Sequence, residues 1–228
     1  MRPIRFSAFI CLCALGLFIS NARGAGIPWG NTNGSSPGFF SWQNGNNETN
    51  LFGDPLPIGN TLVFFPSNFK AVSTGGTPDS KFDKINVDIL ADGAQNITEI
   101  RIHEIGDYSI LGQGASASVV GTLVVTPIIS NGVIPPSFNG LAINPAMPVT
   151  SGGAPWTGNA SVTFSVANGV KKIHLTLDNI LSATSDADST ATIDKKLTQG
   201  IIIEVIPEPA TIGMLLCGAP MLLRRRRR

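Results

Sequence analysis

The residues able to do chemistry in this chain are few. It holds two histidines, His103 and His174, and three cysteines, Cys11, Cys13 and Cys217, which all lie near the ends. Each histidine falls on the polar phase of an alternating run, which places both on exposed surface. His103-Glu104-x-x-Asp107 resembles a truncated zinc motif, but it lacks the second histidine and reads as strand, whereas that motif needs a helix. Gly34-Ser35-Ser36-Pro37-Gly38 matches the G-x-S-x-G pattern formally. A nucleophile elbow takes an oxyanion donor from the amide after the serine, and Pro37 has no amide hydrogen. Asp186, Asp188 and Asp194 offer carboxylate oxygens to calcium, without the central glycine or closing glutamate of an EF-hand loop. Carboxylates for glycoside hydrolysis pair in space rather than in sequence, and no pair is singled out. The chain therefore presents no catalytic residue, no metal-ligand set and no cofactor site. Trp29, Trp42, Trp156 and Tyr108 carry rings that stack on sugars or fill a core. Trp156 follows Gly152-Gly153-Ala154-Pro155 in an irregular stretch, and is the candidate for exposed ligand contact.

The elements that must position these residues are β throughout. Ile85, Val87 and Ile89 alternate with polar neighbours, as do Ile100 and Ile102, then Val162, Phe164 and Val166, then Ile173, Leu175 and Leu177. Period-two alternation describes strands with one face in a core and one in solvent. Further strands are predicted at Thr61 to Phe65, Val119 to Thr126, Thr190 to Ile193 and Ile201 to Val205. Turn formers separate them, among them Gly53-Asp54-Pro55, Gly75-Gly76, Asp92-Gly93 and Asn131-Gly132. Asn168-Gly169, between two alternating runs, predicts a two-residue hairpin. The proline-rich stretch Pro127 to Pro155 predicts an irregular excursion rather than continuous sheet. Many short strands with Gly- and Pro-rich turns argue for an all-β body, an antiparallel β-sandwich or jelly roll.

The two ends have a different character. Arg2 and Arg5 precede an apolar run from Phe6 to Ile19 and small residues around Ala22, the pattern of a Sec signal peptide handled by the Sec translocon. Cleavage after Ala22 or after Gly24 fits equally. This divides the chain into a signal segment (1–24), a body (25–206) and a C-terminal segment (207–228). The body carries eight Lys plus Arg against fourteen Asp plus Glu, a net of −6, and no cysteine. An acidic exported body is not drawn to nucleic acid. Without disulfides it relies on a core that its length is sufficient to build.

The C-terminal segment joins Pro207-Glu208-Pro209, an apolar stretch, and Arg224, Arg225, Arg226, Arg227 and Arg228. The 14 residues between Pro209 and Arg224 cover roughly 21 Å as helix, against a hydrocarbon core of roughly 30 Å. Bilayer thinning and the reach of the arginine stems close that gap. The arginines would remain on the cytoplasmic side. In its final tenth the chain resembles proteins with a PEP-CTERM sorting domain, through Pro207, Glu208 and Pro209, the apolar stretch Ile212 to Leu223, and the arginine end. The resemblance implies export, transient anchoring in the inner membrane by a short helix, and removal of the tail by an exosortase. It implies delivery to the cell surface or the extracellular space of a bacterium that makes exopolysaccharide. The expectation is a non-enzymatic surface or matrix-associated protein. A carbohydrate-binding module using Trp156 is the alternative, and a secreted glycoside hydrolase is a third reading.

Overall fold

The computed structural model describes residues 26–196 and 200–208. The signal segment, Pro209 and the whole arginine end lie outside the described residues. Among the described residues no helix is long and apolar enough to cross a membrane. In chain order the strands are β1 (Ile27–Pro28), β2 (Gly34–Ser35), β3 (Phe40–Asn47), β4 (Leu56–Ile58), β5 (Thr61–Phe64), β6 (Lys70–Thr74), β7 (Asp79–Ala91) and β8 (Ile97–Leu111). They continue with β9 (Ser116–Ile129), β10 (Ser137–Gly140), β11 (Ala142–Asn144), β12 (Gly152–Thr163), β13 (Lys172–Thr184), β14 (Thr190–Lys195) and β15 (Ile201–Pro207).

These form two antiparallel sheets. The first runs β1-β3-β7-β13-β9-β10, with β2 also on β3. The second runs β11-β12-β8-β15-β5-β4, with β14 bridging β8 and β6. Side-chain alternation works as the sequence predicts. Ile173, Leu175 and Leu177 of β13, Ile85, Val87 and Ile89 of β7, and Ile100 and Ile102 of β8 are all buried in one shared hydrophobic cluster. One face of each sheet thus builds the core, with its outer residues left to solvent.

Two connections differ from expectation. Asn168-Gly169 does not close a hairpin, because β12 belongs to the second sheet and β13 to the first. Val166–Asn168 instead form a single 3-10 turn, ended by Gly169 at φ 51°, and the chain crosses between sheets. Alternation specifies which face a residue takes, not which strand its own strand pairs with. The proline-rich stretch is also less irregular than its composition suggests. β9 extends to Ile129, pairing Pro127 with Ile173, and the short edge strands β10 and β11 lie within the stretch. At such edges a proline lacks a ladder donor at little cost.

The second sheet is organised around β8. Along one side it pairs with β12; along the other, β14 and β15 lie end to end. The junction falls at Ile105, whose carbonyl accepts from Lys196 N and whose amide donates to Gly200 O. Strand β15 runs on through Pro207, so the boundary drawn before Pro207 from sequence lies inside the last strand.

Candidate functional site

A groove of about 690 Å³ lies on the outer face of the second sheet. Register explains its floor. Asn159 of β12 and Ile202 of β15 both stand opposite His103 of β8, and Ser161 and Glu204 both stand opposite Arg101. Thr61 of β5 extends the second row past Glu204. Two cross-strand rows result, Asn159–His103–Ile202 and Ser161–Arg101–Glu204–Thr61. Asn139 and Gly140 of β10 form a wall, and Asn139 Nδ2 donates to Ser161 O at 2.5 Å.

The polar side chains of the groove are held in place by their own bonds. Arg101 Nε and Nη2 donate to the two carboxylate oxygens of Glu99 at 2.9 and 2.8 Å, and Nη1 lies 3.7 Å from Glu204 Oε2. These carboxylates, Glu99 first, raise the Arg101 guanidinium above its ordinary value. His103 Nδ1 and Asn159 Oδ1 are 2.8 Å apart. Amide, hydroxyl, guanidinium and carboxylate groups are thus spaced at strand repeats on a shallow floor, which suits a ligand rich in hydroxyls.

A second, smaller groove of about 310 Å³ contains Asp107 and Asp194, which face each other across β8 and β14. Burial raises the Asp194 carboxyl above its ordinary value, partly offset by Lys70. Lys70 Nζ lies 3.9 Å from Asp194, and Lys196 Nζ lies 3.4 Å from Asp107. Each aspartate therefore has a lysine as counter-ion. Glycoside hydrolysis requires instead one carboxyl protonated and one left as a free base or nucleophile.

Trp156 corrects the sequence expectation. It is fully buried, not exposed. It pairs with Gly106 of β8, where an added Cβ would lie 2.3 Å from the indole. The missing side chain lets the ring lie flat across β8, and its Nε1 donates to Asp194 O at 3.1 Å. Trp29 and Trp42 are buried too, donating to Asn47 Oδ1 and Asn31 O. Only Tyr108 among the ring candidates is partly exposed.

The remaining residues singled out from sequence separate rather than converge. His103 faces outward and Glu104 inward, so the zinc-like motif is split between the two faces of β8. His174 sits on the outer face of the first sheet, half-buried, with Nδ1 2.8 Å from Asp88 Oδ1. Ser36 Oγ accepts from Gly38 N and Phe40 N, closing a turn. Asp186 O accepts from Ser189 N and Ser189 Oγ at the β13–β14 turn, whereas Asp194 stands in the smaller groove. Among the described residues no three His, Cys, Asp or Glu side chains gather in a metal-holding group.

Of the C-terminal motif, Pro207 and Glu208 are described, and both are tied to the body. Glu208 N donates to Asn96 O at 3.0 Å, and Asn96 Nδ2 donates to Glu208 Oε2 at 2.7 Å. Thr98 Oγ1 reaches the carbonyls of Ile206 and Pro207.

No protein-family model matches the chain, and no curated protein matches it. Among solved structures, one similar chain is a carbohydrate-binding module in complex with beta-1,4-galactotriose. It is 11% identical with a TM-score of 0.24, over 72% of this chain and 88% of that one. Another is the enzymatically active domain of tailspike protein 4 of bacteriophage CBA120, 8% identical with a TM-score of 0.20, over 61% of this chain and 20% of that one.

Proposed function

We propose that this is an exported, non-enzymatic surface or matrix protein, whose body is a jelly-roll-like β-sandwich that binds hydroxyl-rich polysaccharide. The groove over Arg101 is the contact surface. The observation that carries this reading is the pair of outward rows, Asn159–His103–Ile202 and Ser161–Arg101–Glu204–Thr61. Hydroxyls of a sugar both donate and accept, and each row offers both kinds of partner. Rim-exposed polar contacts of this kind give modest affinity per site, so binding gains from a repeating polymer through avidity.

The C-terminal segment is the sorting signal, with Pro207, Glu208, Pro209 and Arg224 to Arg228 as its recognised residues and an exosortase as its processing partner. The tripartite pattern of these residues supports this reading. Because Asn96 holds Glu208, access to the motif requires the end of β15 to peel from β8. Termini with few contacts open at low free energy, so the barrier is local.

A glycan array probed with the full chain, beside Arg101→Ala and Asn159→Ala, tests the groove. Retention on polysaccharide that is lost in both variants supports it; equal retention by all three removes it. Deleting Arg224 to Arg228 should leave unprocessed chain in the membrane fraction, read by mass spectrometry of both ends. Unchanged processing would end the sorting reading without touching the groove.

A further inference from the structure

Three buried polar side chains meet between the sheets. Glu104 of β8 points inward, and its carboxylate takes two donors at once. Lys195 Nζ of β14 lies 2.6 Å from Oε2, and Asn179 Nδ2 of β13 donates to Oε1 at 2.7 Å. The Lys195 and Glu104 side chains have no solvent exposure, and Asn179 is wholly buried. Asn179 belongs to the first sheet, and the other two to the second.

The surroundings are aromatic. The ammonium lies 5.0 Å from the Trp156 ring, 5.4 Å from Phe69 and 5.8 Å from Phe52. Asp83 fixes one wall of this box, its carboxylate accepting from the amides of Thr49, Leu51 and Phe52. On the other side Asn179 stands opposite Gly121, where an added Cβ would come 3.1 Å from Nδ2. The carbonyl oxygen of Asn179 is buried and accepts no hydrogen bond. A buried pair of opposite charges is costly to assemble, and an orphaned buried carbonyl adds to that cost. A purely structural ion pair does not require an amide there.

We propose that Lys195 and Asn179 react to form an intramolecular isopeptide bond between the two sheets, with Glu104 carrying the proton. The geometry supplies each part. Burial pushes the Lys195 ammonium down, against the pull of Glu104, toward the neutral amine that is the nucleophile. The shared carboxylate holds amine and carboxamide side by side, so the encounter is intramolecular. The aromatic box keeps out the water that would compete.

The atoms balance without any external reagent. Lys195 passes one proton to Glu104, and the free Nζ electron pair forms a bond to Asn179 Cγ. The carbonyl electron pair moves onto Oδ1. A proton from Nζ then travels by way of Glu104 to Nδ2. The Cγ–Nδ2 bond breaks, the carbonyl reforms and ammonia leaves. Nothing is oxidised or reduced; the ammonia leaves neutral, and Glu104 ends as a protonated carboxyl. The product is a neutral amide, which removes the buried ion pair and staples a thiol-free body as a disulfide would.

The test uses the full chain, purified folded and then digested with a protease that cuts before aspartate. Cleavage at Asp186, Asp188 and Asp194 separates Asn179 from Lys195 in the sequence. The expected product is a branched peptide holding both residues, lighter by one ammonia than the two parts together. Recovery of the two peptides unjoined at full mass overturns the proposal. Ammonia loss confined to an Asn-Gly sequence, with no branch, overturns it equally. Lys195→Met and Asn179→Ala should each abolish the branch. Glu104→Gln should abolish it in chain that is folded by circular dichroism, and a branch that persists there removes Glu104 as proton carrier. The wild-type digest decides the bond itself even if a variant fails to fold.

Discussion

Neighbouring residues on β8 and β13 lead opposite lives. His103 and Asp178 face outward on the two sheets, while Glu104 and Asn179, one position along, face inward and meet. The outward residues share their bonds with solvent or with long flexible partners, as Asp178 does with Lys84 at 3.6 Å. The inward ones have no water to fall back on, and depend on each other and on Lys195. The difference teaches that polarity alone does not mark a site in this fold. A polar residue on the apolar phase of a strand is the informative one, because burial without a purpose would be selected against on energy alone.

The comparison breaks most sharply at Glu104. Glu104→Ala leaves the Lys195 ammonium buried without a partner, and removing one member of such a pair costs roughly 3–5 kcal/mol. Urea unfolding should show that loss. The double change Glu104→Leu with Lys195→Met should recover the part due to the stranded charge, since an apolar pair carries no desolvation cost, but not the part due to the lost staple. If the single variant unfolds at the wild-type urea concentration, Glu104 does not hold the interior together.

Trp156 comes next. Trp156→Phe keeps most of the apolar area but leaves Asp194 O without its indole donor, at roughly 1–3 kcal/mol. Polysaccharide retention should be unchanged in the variant, measured at a temperature where it remains folded. Loss of retention with intact stability would restore Trp156 as a ligand contact.

The fold was largely legible in the sequence, and the interior cluster was not. Alternation at Ile85 to Ile89 and Ile173 to Leu177 shows which residues face inward, because a strand has only two faces. It does not show pairing, which is why Asn168-Gly169 reads as a hairpin but serves as a crossing between sheets. Trp156 was misplaced for a similar reason. Its burial depends on Gly106, fifty positions earlier, and on a register that no local pattern contains. A signal for the cluster did exist. Ile100, Ile102 and Glu104 share one phase, as do Leu177, Asn179 and Leu181, and Ala191, Ile193 and Lys195. Three polar residues on apolar phases, one of each charge and one amide, would have pointed inward had the phase been carried past the last apolar residue.

On the outer face of the first sheet, Asp88 stands between these cases, being polar, buried and well supplied with partners. Burial opposes its ionisation, but hydrogen bonds from His174, Lys172 and Asn44 outweigh it and hold the carboxyl below its ordinary value. A depressed folded pKa contributes stability that is present above the unfolded value of about 3.9 and lost as pH falls through the folded value. Asp88→Asn should therefore cost roughly 1–2 kcal/mol at pH 7, with the gap from wild type closing as acid titrates the group. A gap that stays constant down to strongly acidic pH would mean the charge is not what matters.

Asp178 gives the smallest effect and the opposite sign. Burial raises its carboxyl above the ordinary value, with Lys84 only partly opposing, and Oδ1 accepts no hydrogen bond. A raised carboxylate pKa means the charged form is disfavoured in the folded chain. The cost is therefore present at neutral pH and vanishes as pH falls below the unfolded value. Asp178→Asn removes the charge at the same volume, but it also removes the counter-ion of Lys84, a partly exposed pair worth about 0–1 kcal/mol. The two terms nearly cancel, and the expected result is a gain of about half a kcal/mol at pH 7, seen as a slightly higher Tm. Well below the unfolded value of about 3.9 the same substitution should change nothing, because Asp178 is then neutral in both states. A variant less stable at pH 7 would show that Lys84 holds Asp178 more firmly than a separation of 3.6 Å implies, and that the outer face, too, contains a paired charge on which the sheet depends.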